Sequence, residues 1–223
     1  GRAEALAAPL RAALSDLERL LEQEAAFEPA LSCRRFRIAT SDYFQVVGLP
    51  RLFGRVAADA PGVEIRLLPT TAGSSASLLD GSVDLCAGSG EQLPRGPGIV
   101  TERLFTERFV VIQRRCEASQ RLTLKRYVSS PHALVTSDDG PGYVDGLLSQ
   151  RGLSRQVSLR GSDYAALAGV IAETPLLATV PERYARAMAR RVPLTIFPPP
   201  PGPWGGGSPR RRRENWEGGR ERP

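Results

Sequence analysis

Short apolar runs alternate with stretches of helical spacing from Phe36 to Phe197, and this alternation limits the fold more than any other feature. Phe36–Thr40 reads as a strand. Tyr43–Ala58 has helical spacing in Val46, Val47, Leu49, Phe53 and Val56, and Ala60-Pro61-Gly62 closes it. Val63–Leu68 is a second strand, Ser75–Leu79 a short helix closed by Asp80-Gly81, and Val83–Ala87 a third strand. Parallel strands need a crossover between them, so strand–helix–strand at this density calls for a parallel α/β sheet. Two extended runs follow, Ile99–Leu104 and Phe109–Gln113, and after Leu122–Tyr127 the alternation resumes. His132–Thr136, Gln156–Arg160, Leu176–Val180 and Leu194–Phe197 read as strands. Tyr143–Gln150, Asp163–Ala172 and Pro181–Arg190 read as the helices between them. Two α/β units of similar size therefore lie on either side of about residue 108.

The two ends differ from this body. Residues 1–27 carry Ala3, Leu6, Leu10, Ala13, Leu17 and Leu20 at alternating steps of three and four, the apolar seam of a coiled coil. A lone helix of this kind needs a partner, so it packs on the body or pairs with another chain, and pairing is favoured. Pro9 interrupts its hydrogen-bond ladder. Residues 198–223 hold seven prolines, six glycines and no apolar periodicity, so the tail is expected to be disordered. That tail has six Arg against three Glu, whereas residues 1–197 have 24 basic against 21 acidic residues. Half of the net +6 charge thus sits in the tail, and the body does not read as a nucleic-acid-binding surface. The Arg210–Arg213 run reads as solvated charge.

Little in the chain suits catalysis. His132 is the only histidine and opens an apolar strand, where a structural role is the expectation. No GxSxG elbow, Walker A loop or GxGxxG after a strand is present. Lys125, the only lysine, sits in an exposed-looking context for a Schiff base. Asp138-Asp139 before Gly140-Pro141 reads as a solvated turn. Cys33, Cys86 and Cys116 are odd in number and widely spaced, which argues against zinc and a disulfide framework and for a reducing compartment. No apolar run reaches 18 residues, and the first residues lack a secretory pattern. The expectation is a cytoplasmic protein that is not an enzyme and needs no cofactor or metal.

Three polar clusters fall where strands end and helices begin: Thr40-Ser41-Asp42 with Tyr43, Thr70-Thr71 with Gly73-Ser74-Ser75, and Gly161-Ser162-Asp163 with Tyr164. In open α/β sheets that edge forms the ligand crevice. Helix-start N–H groups with Ser and Thr hydroxyls suit an anion such as a carboxylate. The same residues would also serve as plain N-caps. The repeat of Ser-Asp-Tyr at 41–43 and 162–164 keeps both readings open.

At the level of motifs the chain resembles the effector-binding part of a LysR-type transcriptional regulator. The matching stretches are FRIATSDYFQVVGLPRLF (36–53), APGVEIRLLP (60–69), LLDGSVDLCAG (78–88), RLFTERFVVIQRR (103–115), LTLKRYVSSPHALV (122–135) and ETPLLATVPERYA (173–185). Asp84 after Asp80-Gly81 is typical, and GRAEALAAPLRAALSDLERL is similar to the dimerising linker helix. The resemblance implies two Rossmann-like subdomains of the type II periplasmic-binding-protein class behind a linker helix at 1–27. Subdomain I would be 36–108 with 194–197, subdomain II 109–193. It implies a small-molecule effector in a cleft between them, touched by Ser41, Asp42, Tyr43, Thr71, Ser89, Ser162 and Tyr164. The Ser-Asp-Tyr opening is similar to the branch that senses salicylate, nitroaromatics and related compounds, so a small aromatic or carboxylate effector is expected. It implies a homo-oligomer through helix 1–27, and DNA contact only through a helix-turn-helix that this sequence does not contain. Effector binding would change the angle between subdomains. A solute-binding protein of a transport system with the same fold is the alternative. Two departures stand out: the missing helix-turn-helix, and a Gly/Pro/Arg-rich tail where the family usually adds a strand and a helix to subdomain I.

Overall fold

The computed structural model describes residues 9, 11–15, 27–70, 74–89, 93, 95–115, 121–136, 140–201 and 214–221. They fall into two compact units. Unit one takes Gly1–Phe44, Gly48–Phe105 and Asn215–Pro223, and unit two takes Gln45–Val47 and Thr106–Glu214. Of the helix expected over 1–27, Pro9 and Arg11–Ser15 are described and helical, and the rest lies outside the described residues.

Apart from Gln45–Val47 and Thr106–Glu107, which cluster with unit two, unit one contains β1 (Arg35–Thr40), α1 (Asp42–Val47), α2 (Leu49–Asp59), β2 (Glu64–Pro69), α3 (Ser74–Leu79), β3 (Leu85–Ser89) and β4 (Ile99–Glu107). The sheet order is β2, β1, β3, the C-terminal strand Glu214–Glu221, then β4. β1 pairs in parallel with β2 from Arg35↔Glu64 to Thr40↔Pro69, and with β3 from Ile38↔Leu85 to Thr40↔Ala87. Ala39, Leu78, Val83, Cys86 and Leu93 form the core, with Leu68 and Ile99 packed against it. A charged clip joins the entrances of β1 and β3. Asp84 Oδ2 accepts from the Arg37 backbone N–H at 2.7 Å and from Nε at 3.0 Å, and Oδ1 accepts from Nη2 at 3.0 Å.

The helix expected over 43–58 is two helices. Gly48 caps α1 through its N–H to the Phe44 carbonyl at 2.7 Å, and the Phe44 ring lies so close that a β-carbon at Gly48 would sit 2.5 Å from it. Pro50, in the first turn of α2, has no N–H to continue the ladder across the break. The tail also departs from expectation. Glu214–Glu221 pairs antiparallel with β3, Trp216↔Ser89 to Gly219↔Cys86. Ladder hydrogen bonds come from the backbone and need no apolar periodicity, which is why the composition did not disclose this strand. Residues 202–213 lie outside the described ones.

Unit two contains β5 (Phe109–Arg114), α4 (Leu124–Ser129), β6 (Pro131–Val135), α5 (Tyr143–Ser149), β7 (Gln156–Gly161), α6 (Leu167–Glu173), β8 (Leu177–Pro181), α7 (Glu182–Met188) and β9 (Leu194–Phe197). Its sheet order is β7, β6, β8, β5, β9. β6 runs parallel to β7 and β8, while β5 is antiparallel to β8 and β9. The assignment of 194–197 to the first subdomain is therefore corrected. β9 pairs with β5 from Val111↔Phe197 to Arg114↔Leu194, and Phe197 joins a core of Val111, Leu122, Tyr127, Val144, Leu148 and Leu177.

Candidate functional site

The carboxyl ends of β2, β1 and β3 lie side by side. Thr40 faces Pro69 on one neighbour and Ala87 on the other, so the next residues, Thr70, Ser41 and Gly88, line one edge at a strand spacing of about 5 Å. Thr40 fixes this edge, because its buried hydroxyl donates to the Ala87 carbonyl at 2.9 Å. Ser41 occupies the N-cap of α1 with extended dihedrals (φ −79°, ψ 158°), yet its side chain makes no capping bond. Its Oγ and the Thr70 Oγ1 are both buried, and neither has a hydrogen-bond partner among the described residues. An orphaned buried hydroxyl costs about 1–3 kcal/mol, which makes these two strand-end hydroxyls the candidate contacts of this edge. Plain capping does not account for Ser41.

The other expected residues of this unit have different surroundings. Asp42 is the first residue of α1 and half-buried. Tyr43 is 1% exposed, part of the packed interior rather than an open wall. Thr71 lies outside the described residues, and of Ser89 only the backbone, at the end of β3, is described. Thr70 was missed as a site residue although its cluster was visible. The signal that finds it is the register that sets it beside Ser41.

In unit two, Ser162 and Tyr164 follow β7, but the expected helix does not begin there. α6 starts at Leu167, with Ala166 as its N-cap. Tyr184 of α7 explains the delay: its hydroxyl donates to the Tyr164 carbonyl at 2.6 Å and accepts from the Ala168 N–H at 3.0 Å. The Tyr164 ring packs on Tyr184 at 5.1 Å between centroids. Ser162 is exposed, its Oγ 3.4 Å from Asp163 Oδ2. The Ser-Asp-Tyr repeat is not a structural repeat. Ser41 follows the second strand of its sheet, whereas Ser162 follows the edge strand. Thr136, after β6, holds the position that matches Ser41.

A second polar cluster, around His132, is part of the interior of unit two. Arg155 has 1% side-chain exposure and binds Asp145 in bidentate fashion (Nε–Oδ1 2.7 Å, Nη2–Oδ2 3.2 Å). Its Nη1 reaches the Tyr127 hydroxyl at 2.9 Å and His132 Nδ1 at 3.3 Å. His132 is fully buried, with Nε2 2.7 Å from the Tyr127 carbonyl. A carbonyl only accepts and a guanidinium only donates, so the ring is neutral, protonated at Nε2 and accepting at Nδ1. Burial pulls the His132 pKa down to about 4, assisted by Arg155 and opposed by the Tyr127 carbonyl and Asp145. Asp145 titrates below the usual carboxylate range: Arg155 and the Gly142 N–H outweigh the burial that pushes it up. Both ring nitrogens of His132 are engaged within this buried cluster, which is a structural arrangement.

Lys125 is exposed, Asp138 and Asp139 lie outside the described residues, and burial raises the Cys86 thiol to about 11. Among the described residues no group of three or more His, Cys, Asp or Glu is placed to hold a metal ion. Among them, too, no helix is long and apolar enough to cross a membrane.

Comparison with known proteins fits this architecture. Residues 30–215 match the LysR substrate binding domain. Nodulation protein D of a Bradyrhizobium species is 32% identical over 204 residues, covering 89% of this chain and 59% of that protein. The HTH-type transcriptional activator NagR of a Ralstonia species is 32% identical over 199 residues, covering 87% of this chain and 65% of the relative. The chain thus spans roughly three-fifths of the length of the curated relatives it matches. The crystal structure of a probable transcriptional regulator from Pseudomonas aeruginosa superposes with a TM-score of 0.76 at 31% identity, covering 99% of this chain and 72% of that one. Relatives and neighbours are regulators rather than enzymes or transport proteins. The fold, its matched span and these relatives place the chain in the LysR substrate-binding-domain family.

Proposed function

We propose that this chain is the effector-sensing and oligomerising module of a cytoplasmic, LysR-type DNA-binding transcriptional regulator. Its effector is a small aromatic carboxylate or a close analogue. The observation that carries this reading is the pair of buried, unpartnered hydroxyls, Ser41 Oγ and Thr70 Oγ1, at the carboxyl edge of the unit-one sheet. A carboxylate is acceptor-only when ionised and takes a hydrogen bond from each hydroxyl, which removes both desolvation costs at once. Asp42 and Ser89 belong to the same edge by position, Tyr43 supports it from the interior, and Thr71 is proposed as a further contact from its place in the sequence. Oligomerisation runs through helix 1–27, and DNA is reached through a helix-turn-helix carried elsewhere in the full-length protein.

The test is thermal unfolding of the chain against benzoate, salicylate and their nitro and hydroxy analogues. A compound at 100 times its Kd adds about 2.7 kcal/mol to the stability of the native state. The expected outcome is a rise of several degrees for at least one compound, cut to about half or less in Ser41→Ala and Thr70→Val. A cooperative melt that no member of the panel moves contradicts the proposed effector class.

A further inference from the structure

Arg108 is the one residue between β4 of the first sheet and β5 of the second, and the chain changes sheets across it. Its N–H donates to Glu107 Oε1 at 2.9 Å, and its carbonyl accepts from the Glu182 N–H at 2.7 Å. The second bond extends the antiparallel ladder of β5 and β8 one pair beyond Phe109↔Pro181. It also uses one of the donors that the start of α7 leaves without a partner inside the helix. Side chains tighten the contact. Arg108 Nε lies 3.3 Å from Glu182 Oε2, and Arg183 Nε lies 3.7 Å from Glu107 Oε2. Both arginines are more than half exposed, and such pairs are individually weak. The Glu107 side chain is 3% exposed, so its carboxylate depends on these neighbours. The backbone bond and the buried carboxylate therefore carry the clamp.

Tyr184 reaches another way from the same turn. Successive residues of a helix are about 100° apart, so the first turn of α7 presents Glu182, Arg183 and Tyr184 in different directions. Tyr184 is fully buried, and its hydroxyl joins the Tyr164 carbonyl to the N–H of Ala168, in the first turn of α6. We propose that the first turn of α7 is a strut that couples the sheet crossover at Arg108 to the Tyr164–Ala168 segment, so that displacing either one shifts the other. All of these residues belong to unit two, and hydrogen bonds and ion pairs join each end to the helix. Coupling travels through rigid elements and contiguous contacts of this kind. A ligand or partner that moves Tyr164 thereby acts on the residue where the chain changes sheets, whatever that ligand is.

Residue-resolved amide exchange on the whole chain tests the proposal with a perturbation at each end. Tyr184→Phe removes only the bridging hydroxyl. The Ala168 amide should exchange faster, and so, by roughly threefold to tenfold, should those of Arg108 and Glu182, while the amides of β6 keep their rates. The double variant Glu182→Gln with Arg183→Gln loosens the crossover and should speed Ala168 by a similar factor. Acceleration confined to the perturbed end in either variant overturns the proposal. Equal acceleration of β6 overturns it as well, because unit two would then be destabilised as a whole.

Discussion

Lowering the pH should unlock unit two through His132. In the folded chain its pKa is about 4, against 6.5 for an unburied histidine. Between those values the unfolded chain binds a proton that the folded chain refuses, so stability is full above pH 6.5 and falls as the pH drops towards 4. A displacement of this size corresponds to about 3 kcal/mol lost between pH 7 and pH 4, at 1.36 kcal/mol per unit. The structure supplies the cause. A proton on Nδ1 would face the Arg155 guanidinium at 3.3 Å with nothing to accept it. Asp145, Arg155 and the Tyr127 hydroxyl surround the ring, and the Asp145 contribution is lost only below its ordinary 3.8, outside this window. Urea unfolding from pH 4 to pH 8, followed by tyrosine fluorescence, should show a steeper acid limb for the wild type than for His132→Gln. The difference between the two limbs should reach about 3 kcal/mol. Parallel profiles, within about 0.5 kcal/mol at every pH, would refute the neutral, buried histidine.

Two further expectations concern unit one. Asp84→Ala removes three charge-assisted hydrogen bonds to a half-buried Arg37, and urea unfolding should show a loss of about 2–3 kcal/mol. An unchanged urea midpoint would mean that the clip is decoration. Gly48→Ala drives a methyl against the Phe44 ring, so the melting midpoint should fall by the equivalent of about 1–3 kcal/mol, and the double variant with Phe44→Leu should recover part of it.

The alternating strands and helices were legible because their periodicity is local. What escaped the sequence depends on contacts distant along the chain. The break at Gly48 is set by where the Phe44 ring lies. β9 reads as a strand from Leu194-Thr195-Ile196-Phe197, but its partner β5 lies some eighty residues earlier, so its unit could not be read. The late start of α6 is imposed by Tyr184, twenty residues on from Tyr164. The site divides in the same way. Ser41 was legible as a polar residue after a strand, whereas Thr70 became visible only through the register of β2 on β1. The repeat of Ser-Asp-Tyr suggested an equivalence that the strand order removes. Local chemistry named the right kinds of residues, and sheet topology decided which of them share an edge.

The central claim is that two orphaned hydroxyls on adjacent strand ends form the effector contact. Calorimetric titration with the aromatic carboxylate that most raises the melting midpoint tests it most directly, using wild type, Ser41→Ala and Thr70→Val. Each variant should bind roughly tenfold to hundredfold more weakly, the loss of one hydrogen bond to a charged group. Each should also be as stable as the wild type without ligand, since an unsatisfied buried hydroxyl has been removed. Wild-type affinity in both variants would contradict the claim and place the effector elsewhere in the chain.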